Sequence, residues 1–181
     1  MKASLVEIPF SASLDSVWLS EDPVVIGHRA LNRPSPDAFL LVQASDARLR
    51  LDVYFSEPAM PAKAWKWESN VVVSPGSFLF ICSIPNRTVR AFPIDAYVTT
   101  IQSAFDLLFV STASEVLVFD GAPGLVETYA GLGVDGVIIE HITEVSIQGA
   151  GEWDPPGGWR NFTVQRKPKD RATVAASHNS M

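Results

Sequence analysis

Gly131, Gly133 and Gly136 stand in a G-x-G-x-x-G spacing, the pattern with which a glycine turn and the helix after it hold a dinucleotide pyrophosphate. That chemistry needs a helix to begin within the pattern. Here Val137-Ile138-Ile139-Glu140-His141-Ile142-Thr143-Glu144-Val145-Ser146-Ile147 follows, dominated by Val, Ile and Thr, so the expectation is a turn and then a strand. Glu140, His141, Glu144, Glu152 and Asp154 crowd the same span with metal-ligating residue types. On one strand Glu140, Ile142 and Glu144 share a face and His141 takes the other, which splits the imidazole from both carboxylates. H-E-x-x-H, calcium-loop and G-x-S-x-G patterns are all missing from the chain. The expectation is therefore an exposed acidic strand, with no catalytic residues, no metal and no cofactor.

Tryptophan supplies the other distinctive groups. Trp65-Lys66-Trp67 puts two indoles on one face of an extended segment, where they either fill a core or stack on a sugar or another small ligand. Trp153-Asp154-Pro155-Pro156-Gly157-Gly158-Trp159 reads as a tight turn with a ring at each end. Its simpler reading is a loop clamped to the core by both rings. Its functional reading is a contact loop, since Trp is enriched at binding hot spots. Cys82 closes the apolar run Phe78-Leu79-Phe80-Ile81-Cys82 and reads as a buried thiol rather than a nucleophile. A single cysteine excludes an intrachain disulfide framework and a cysteine-built zinc site.

The elements that would position these residues are strands. The 181 residues are 47% hydrophobic and 19% charged, enough for a core and too apolar for global disorder. Leu5-Val6-Glu7-Ile8 is a plausible first strand. Phe39–Gln43 leads by a polar turn, Ala44-Ser45-Asp46, into Leu49–Phe55, where Leu49, Leu51 and Val53 alternate with Arg50 and Asp52. The same shape returns at Phe78–Cys82 with Thr88–Phe92, and at Leu107–Val110 with Glu115–Phe119, and a looser fourth unit begins at Val137. In residues 95–105 Tyr97, Ile101 and Phe105 have helical spacing, but Val98, Thr99, Thr100 and Ile101 favour a strand.

The run from Leu107 to Asp120, LLFVSTASEVLVFD, resembles the middle two strands of a β-propeller blade, and Phe78–Ile94 and Phe39–Phe55 resemble others. The expected fold is all-β, an antiparallel sandwich or barrel, with a small or partial β-propeller as the alternative. Residues 1–166 are read as one domain and 167–181 as a flexible C-terminal tail. The apolar runs are too short to cross a bilayer, and Glu7, Pro9 and Asp15 interrupt any secretory signal, so the expected location is cytoplasmic, away from membranes.

Charge is segregated along the chain. Between Arg90 and Arg160 there are ten acids and no lysine or arginine, within a chain of net charge -6. That balance argues against a nucleic-acid partner and for a basic protein partner. Compact acidic β-proteins without catalytic motifs resemble, in overall character, bacterial immunity proteins that sequester a cationic toxin domain. The resemblance implies a non-catalytic protein-binding role, with Glu140, Glu144, Glu152 and Asp154 steering a basic toxin and Trp153 and Trp159 anchoring it. The alternative is a carbohydrate- or small-ligand-binding β module using Trp65 and Trp67.

Overall fold

The computed structural model describes residues 5–27, 35–43, 48–55, 62–154 and 157–167. The regular structure of the described residues is almost entirely strand: β1 (Leu5–Glu7), β2 (Val24–Ile26), β3 (Ala38–Gln43), β4 (Arg48–Val53), β5 (Lys63–Trp67), β6 (Asn70–Ser74), β7 (Phe78–Ser83), β8 (Val89–Pro93), β9 (Thr100–Ala104), β10 (Leu107–Ser111), β11 (Val116–Phe119), β12 (Leu125–Tyr129), β13 (Val137–Ile142), β14 (Ser146–Glu152) and β15 (Trp159–Gln165). One short helix, α1 (Ser16–Leu19), begins at Asp15, whose carboxylate accepts from the Val17 and Trp18 amides.

The strands form four sheets, ordered β2-β4-β3, β1-β5-β6-β7-β8, β12-β11-β10-β9 and β13-β14-β15, called here the first to the fourth. Every pairing is antiparallel except β2 with β4. The sheets stack face to face in that order, with an apolar layer in each gap. Leu40, Leu49, Leu51 and Val53 of the first sheet meet Val71, Val73 and Cys82 of the second. Trp65, Trp67, Val72 and Ile81 of the second meet Leu108, Val110, Leu117 and Phe119 of the third. Phe109, Val116 and Val118 of the third meet Val137, Ile139 and Ile147 of the fourth.

This layering explains the sequence pattern. The two inner sheets are buried on both faces, so their strands β6, β7, β10 and β11 read as continuous apolar runs. The first sheet has one outward face, so β4 alternates. Arg50 on that face reaches the Trp18 and Glu21 carbonyls around α1. The four look-alike units of the sequence fall one to each sheet. The β10–β11 pair does lie in the middle of its four-stranded sheet. The arrangement is a multilayer antiparallel sandwich, and the described strands close neither a barrel nor a propeller. Within residues 95–105 the strand β9 forms over Thr100–Ala104 rather than a helix; residues 95–99 lead into it without regular structure, and Phe105 begins the turn after it.

Two glycines let backbones touch. At Gly27 (φ +85°) a Cβ would lie 2.2 Å from the Tyr54 carbonyl oxygen. At Gly151 a Cβ would lie 1.6 Å from the Leu132 carbonyl oxygen, so only glycine lets the 131–133 segment cross β14. The 131–136 glycines therefore form turns against β14 and lead into a strand, as the sequence indicates.

Candidate functional site

All six residues proposed for partner contact lie on the fourth sheet or its turns, at two separate ends. Glu140 occupies a β-bulge in β13, where the register shifts between Ile139 and His141. Glu144 lies past the end of β13, in the 143–145 turn that the Thr143 hydroxyl closes by accepting the Ser146 amide at 2.9 Å. The expectation that both glutamates share one strand face is therefore corrected. The bulge shifts the alternation by one residue, and the strand ends at Ile142. Both are exposed, as is His141.

The other end is the β14–β15 loop. Glu152 pairs with Trp159. The Trp153 amide donates to the Gly158 carbonyl at 3.0 Å and the Gly158 amide to the Asp154 carbonyl at 2.9 Å. Glu152 Oε1 accepts the Gly157 amide at 2.6 Å, beneath a residue with φ +106°. These bonds tie the described residues on the two sides of the loop together, and both rings are partly exposed: Trp153 is 37% exposed and Trp159 43%. The rings therefore do not clamp the loop onto the core. The Trp159 ring instead covers Gly136, where a Cβ would lie 3.3 Å from it, and the Arg160 guanidinium stands 5.7 Å from the centre of the Trp153 ring. Pro155 and Pro156 lie outside the described residues.

A second segment completes this end. The Val134 amide donates to the Glu152 carbonyl at 2.7 Å and the Glu152 amide to the Gly136 carbonyl at 2.8 Å, which brings exposed Asp135 beside Glu152. The Tyr97 hydroxyl donates to the Asp135 carbonyl at 2.7 Å. Burial raises the Tyr97 pKa, and the hydrogen bond to Asp135 and the charges of Asp135, Glu152 and Asp95 add to the rise. Val134 is 52% exposed here. Tyr97, Val134, Asp135 and Arg160 thus join the site, although nothing in local patterning marks them. Their neighbourhood depends on the pairing of residues 133–136 with β14.

Along β14, at about 3.3 Å per residue, the Glu144 turn lies roughly 20 Å from Glu152, whereas Glu140, opposite Gln148 and Gly149, lies roughly 12 Å from it. Screening acts over about 8 Å at physiological ionic strength, so Glu144 and the Glu152–Asp154 group act as separate charges.

The ten acids of the 91–159 span have different duties. Glu127 is buried and paired with Arg166 at 2.7 Å, and accepts from the Tyr129 hydroxyl at 2.5 Å. Burial pushes the Glu127 pKa up, but the Arg166 and Tyr129 hydrogen bonds win and hold it below the usual range. Tyr129 is pushed up to about 12 by burial and by its bond to Glu127. Asp95 caps the 112–115 turn by accepting the Ser114 amide at 2.7 Å; burial opposes ionisation, and the hydrogen bonds from Ser114, Thr112 and Ala96 overcome it, leaving a lowered pKa. Asp120 accepts the Gly124 amide at 2.8 Å. These three carboxylates brace the fold.

Trp65 (6% exposed) and Trp67 (0%) both lie in the layer between the second and third sheets, so neither offers a stacking platform. Cys82 is buried, and burial lifts its thiol to about 11 against the pull of Arg87, as expected of an inert thiol. Among the described residues no three His, Cys, Asp or Glu side chains group as a metal site, and no helix is long and apolar enough to cross a membrane. His28, His178 and the tail from 168 to 181 lie outside the described residues. No family model, no curated protein and no solved structure matches the chain.

Proposed function

We propose that this chain is a non-catalytic, protein-binding β-protein of the immunity type. In this reading it sequesters a basic partner, a cationic toxin domain, in the cytoplasm, using the β14–β15 end of the fourth sheet. The observation that carries the reading is the pair of half-exposed indoles, Trp153 and Trp159, held on a hydrogen-bonded loop among Asp135, Glu152 and Asp154. Rigid aromatic rings lose little entropy on binding and are favoured anchors, while the carboxylates outnumber the single nearby guanidinium of Arg160 and would orient a cationic surface. The neighbouring outward face of the fourth sheet supports the same reading, since Ile138 is 38% exposed there.

The test is capture of partners from the native host, followed by binding kinetics. Trp153→Ala and Trp159→Ala should each speed dissociation of a basic partner while leaving the melting temperature nearly unchanged, because neither ring is core. A loss of stability without a change in dissociation would assign the rings to folding. Recovery of acidic partners alone would contradict the charge argument. The alternative, a ligand-binding module built on Trp65 and Trp67, loses its support because both rings are buried.

A further inference from the structure

The apolar layer between the second and third sheets changes character at one end. Asn70 and Ser83 face each other across β6 and β7, and the Ser83 amide donates to the Thr88 carbonyl at 2.9 Å, so these three residues form a polar row. One step further in, Arg90 stands opposite Ile81. Over this row lies the β11–β12 turn, held by Arg90 Nη1 donating to the Pro123 carbonyl at 2.8 Å. The space between is a cavity of about 290 Å³ with Asn70, Ile81 and Ser83 in its buried floor and exposed Thr88 and Arg90 in its walls. That volume lies just below the roughly 300–1,000 Å³ typical of small-molecule sites, which suits a ligand of few atoms.

Its floor holds a donor that the described residues leave unmet. Asn70 is 2% exposed, and its Nδ2 has no acceptor among the described residues. Trp67, directly opposite Asn70 across the β5–β6 hairpin and therefore on the same sheet face, carries a second buried N–H without an acceptor. Buried donors are almost always paired, so the orphaned Asn70 amide in the cavity floor calls for an acceptor oxygen from outside the described residues. The Arg90 guanidinium in the wall favours a charged acceptor. The Glu68 carboxylate, exposed beside Gly121 at the rim, disfavours a second negative charge. Ile81, Pro85 and Ala122 offer apolar lining for a short carbon body.

We propose that this cavity is a binding site for a small organic monoanion, a carboxylate whose oxygens accept from the Asn70 amide beside the Arg90 guanidinium. The site is separate from the β14–β15 end and stands whether or not that surface binds a protein.

The test is titration of the ¹⁵N-labelled full chain with acetate, lactate and benzoate, with inorganic phosphate and glucose as the other arms. The readouts are the Asn70 side-chain amide and the Trp67 indole N–H. At least one carboxylate should shift the Asn70 resonances saturably, and Arg90→Gln should weaken that binding about tenfold or more. Asn70→Asp should abolish it, and the backbone spectrum of each variant reports whether it is folded. Absence of a saturable shift with every carboxylate would mean that water serves Asn70, and would overturn the site. Saturation by phosphate or glucose alone would overturn the ligand class. Binding unchanged in a folded Arg90→Gln variant would overturn the proposed geometry.

Discussion

Glu127 and Arg166 show what the acidic composition does inside the fold. The pair joins β12 to the residue after β15, and Arg166 also donates to the Thr143 carbonyl at 3.3 Å and stacks 5.2 Å from the Phe109 ring centre. Removing one partner strands the other as a buried charge, so Glu127→Ala should cost about 3–5 kcal/mol in urea denaturation. The pH dependence follows from the sign of each shift. Glu127 is held below its usual value, so its contribution is complete above about pH 4.3 and is lost as the pH falls toward the native value. Tyr129 is raised to about 12, so its contribution is present below its usual value of 10.0 and is lost as the pH climbs through the native one. Glu127→Gln should flatten the acid limb measured between pH 5 and 3. Sequence alone could not sort these glutamates. Glu127 and Glu140 have equally ordinary local contexts, and the partner Arg166, 39 positions away, together with the Tyr129 hydroxyl, separates the buried acid from the solvated one.

At the scale of elements, backbone geometry limits which side chains each turn accepts. Phe105 (φ +53°) and Asp106 (φ +60°) form the two-residue turn between β9 and β10, both left-handed, where asparagine and glycine fit better. Phe105 is 44% exposed and gives up little contact, so Phe105→Asn with Asp106→Gly should stabilise the chain by about 1 kcal/mol. Gly151→Ala should do the opposite, at or beyond the upper end of the roughly 1–3 kcal/mol that overpacking costs, since its Cβ would strike the Leu132 carbonyl. Thermal melts of the two variants should move in opposite directions. The strands themselves were legible because their hydrophobic period reports how many faces are covered. Leu49, Leu51 and Val53 alternate on a terminal sheet, whereas the run Phe78–Cys82 is unbroken within an inner one. The shared face expected for Glu140 and Glu144 was not legible, because one bulge residue reverses the alternation and leaves no local mark.

On the scale of the whole molecule, three apolar layers are built by one chain passing through four sheets in turn, with β1 reaching forward to pair with β5 in the second sheet. Such long-range pairing has no signature in nearby residues, and neither does the contrast between Trp65 and Trp67 in a layer and Trp153 and Trp159 at an open end. The same stacking puts the polar row of Asn70 where one layer ends, and leaves the fourth sheet as an outward-facing terminus. The central claim is that a basic partner docks at the β14–β15 end of that sheet, steered by the carboxylates there. Association rates with the captured partner, measured at low and high salt for two charge reversals, test it most directly. Asp154→Lys should slow association severalfold and flatten its salt dependence, while Glu144→Lys, roughly 20 Å from Glu152 along β14, should have little effect. Equal slowing by both reversals, or an association rate that does not respond to salt, would contradict the account.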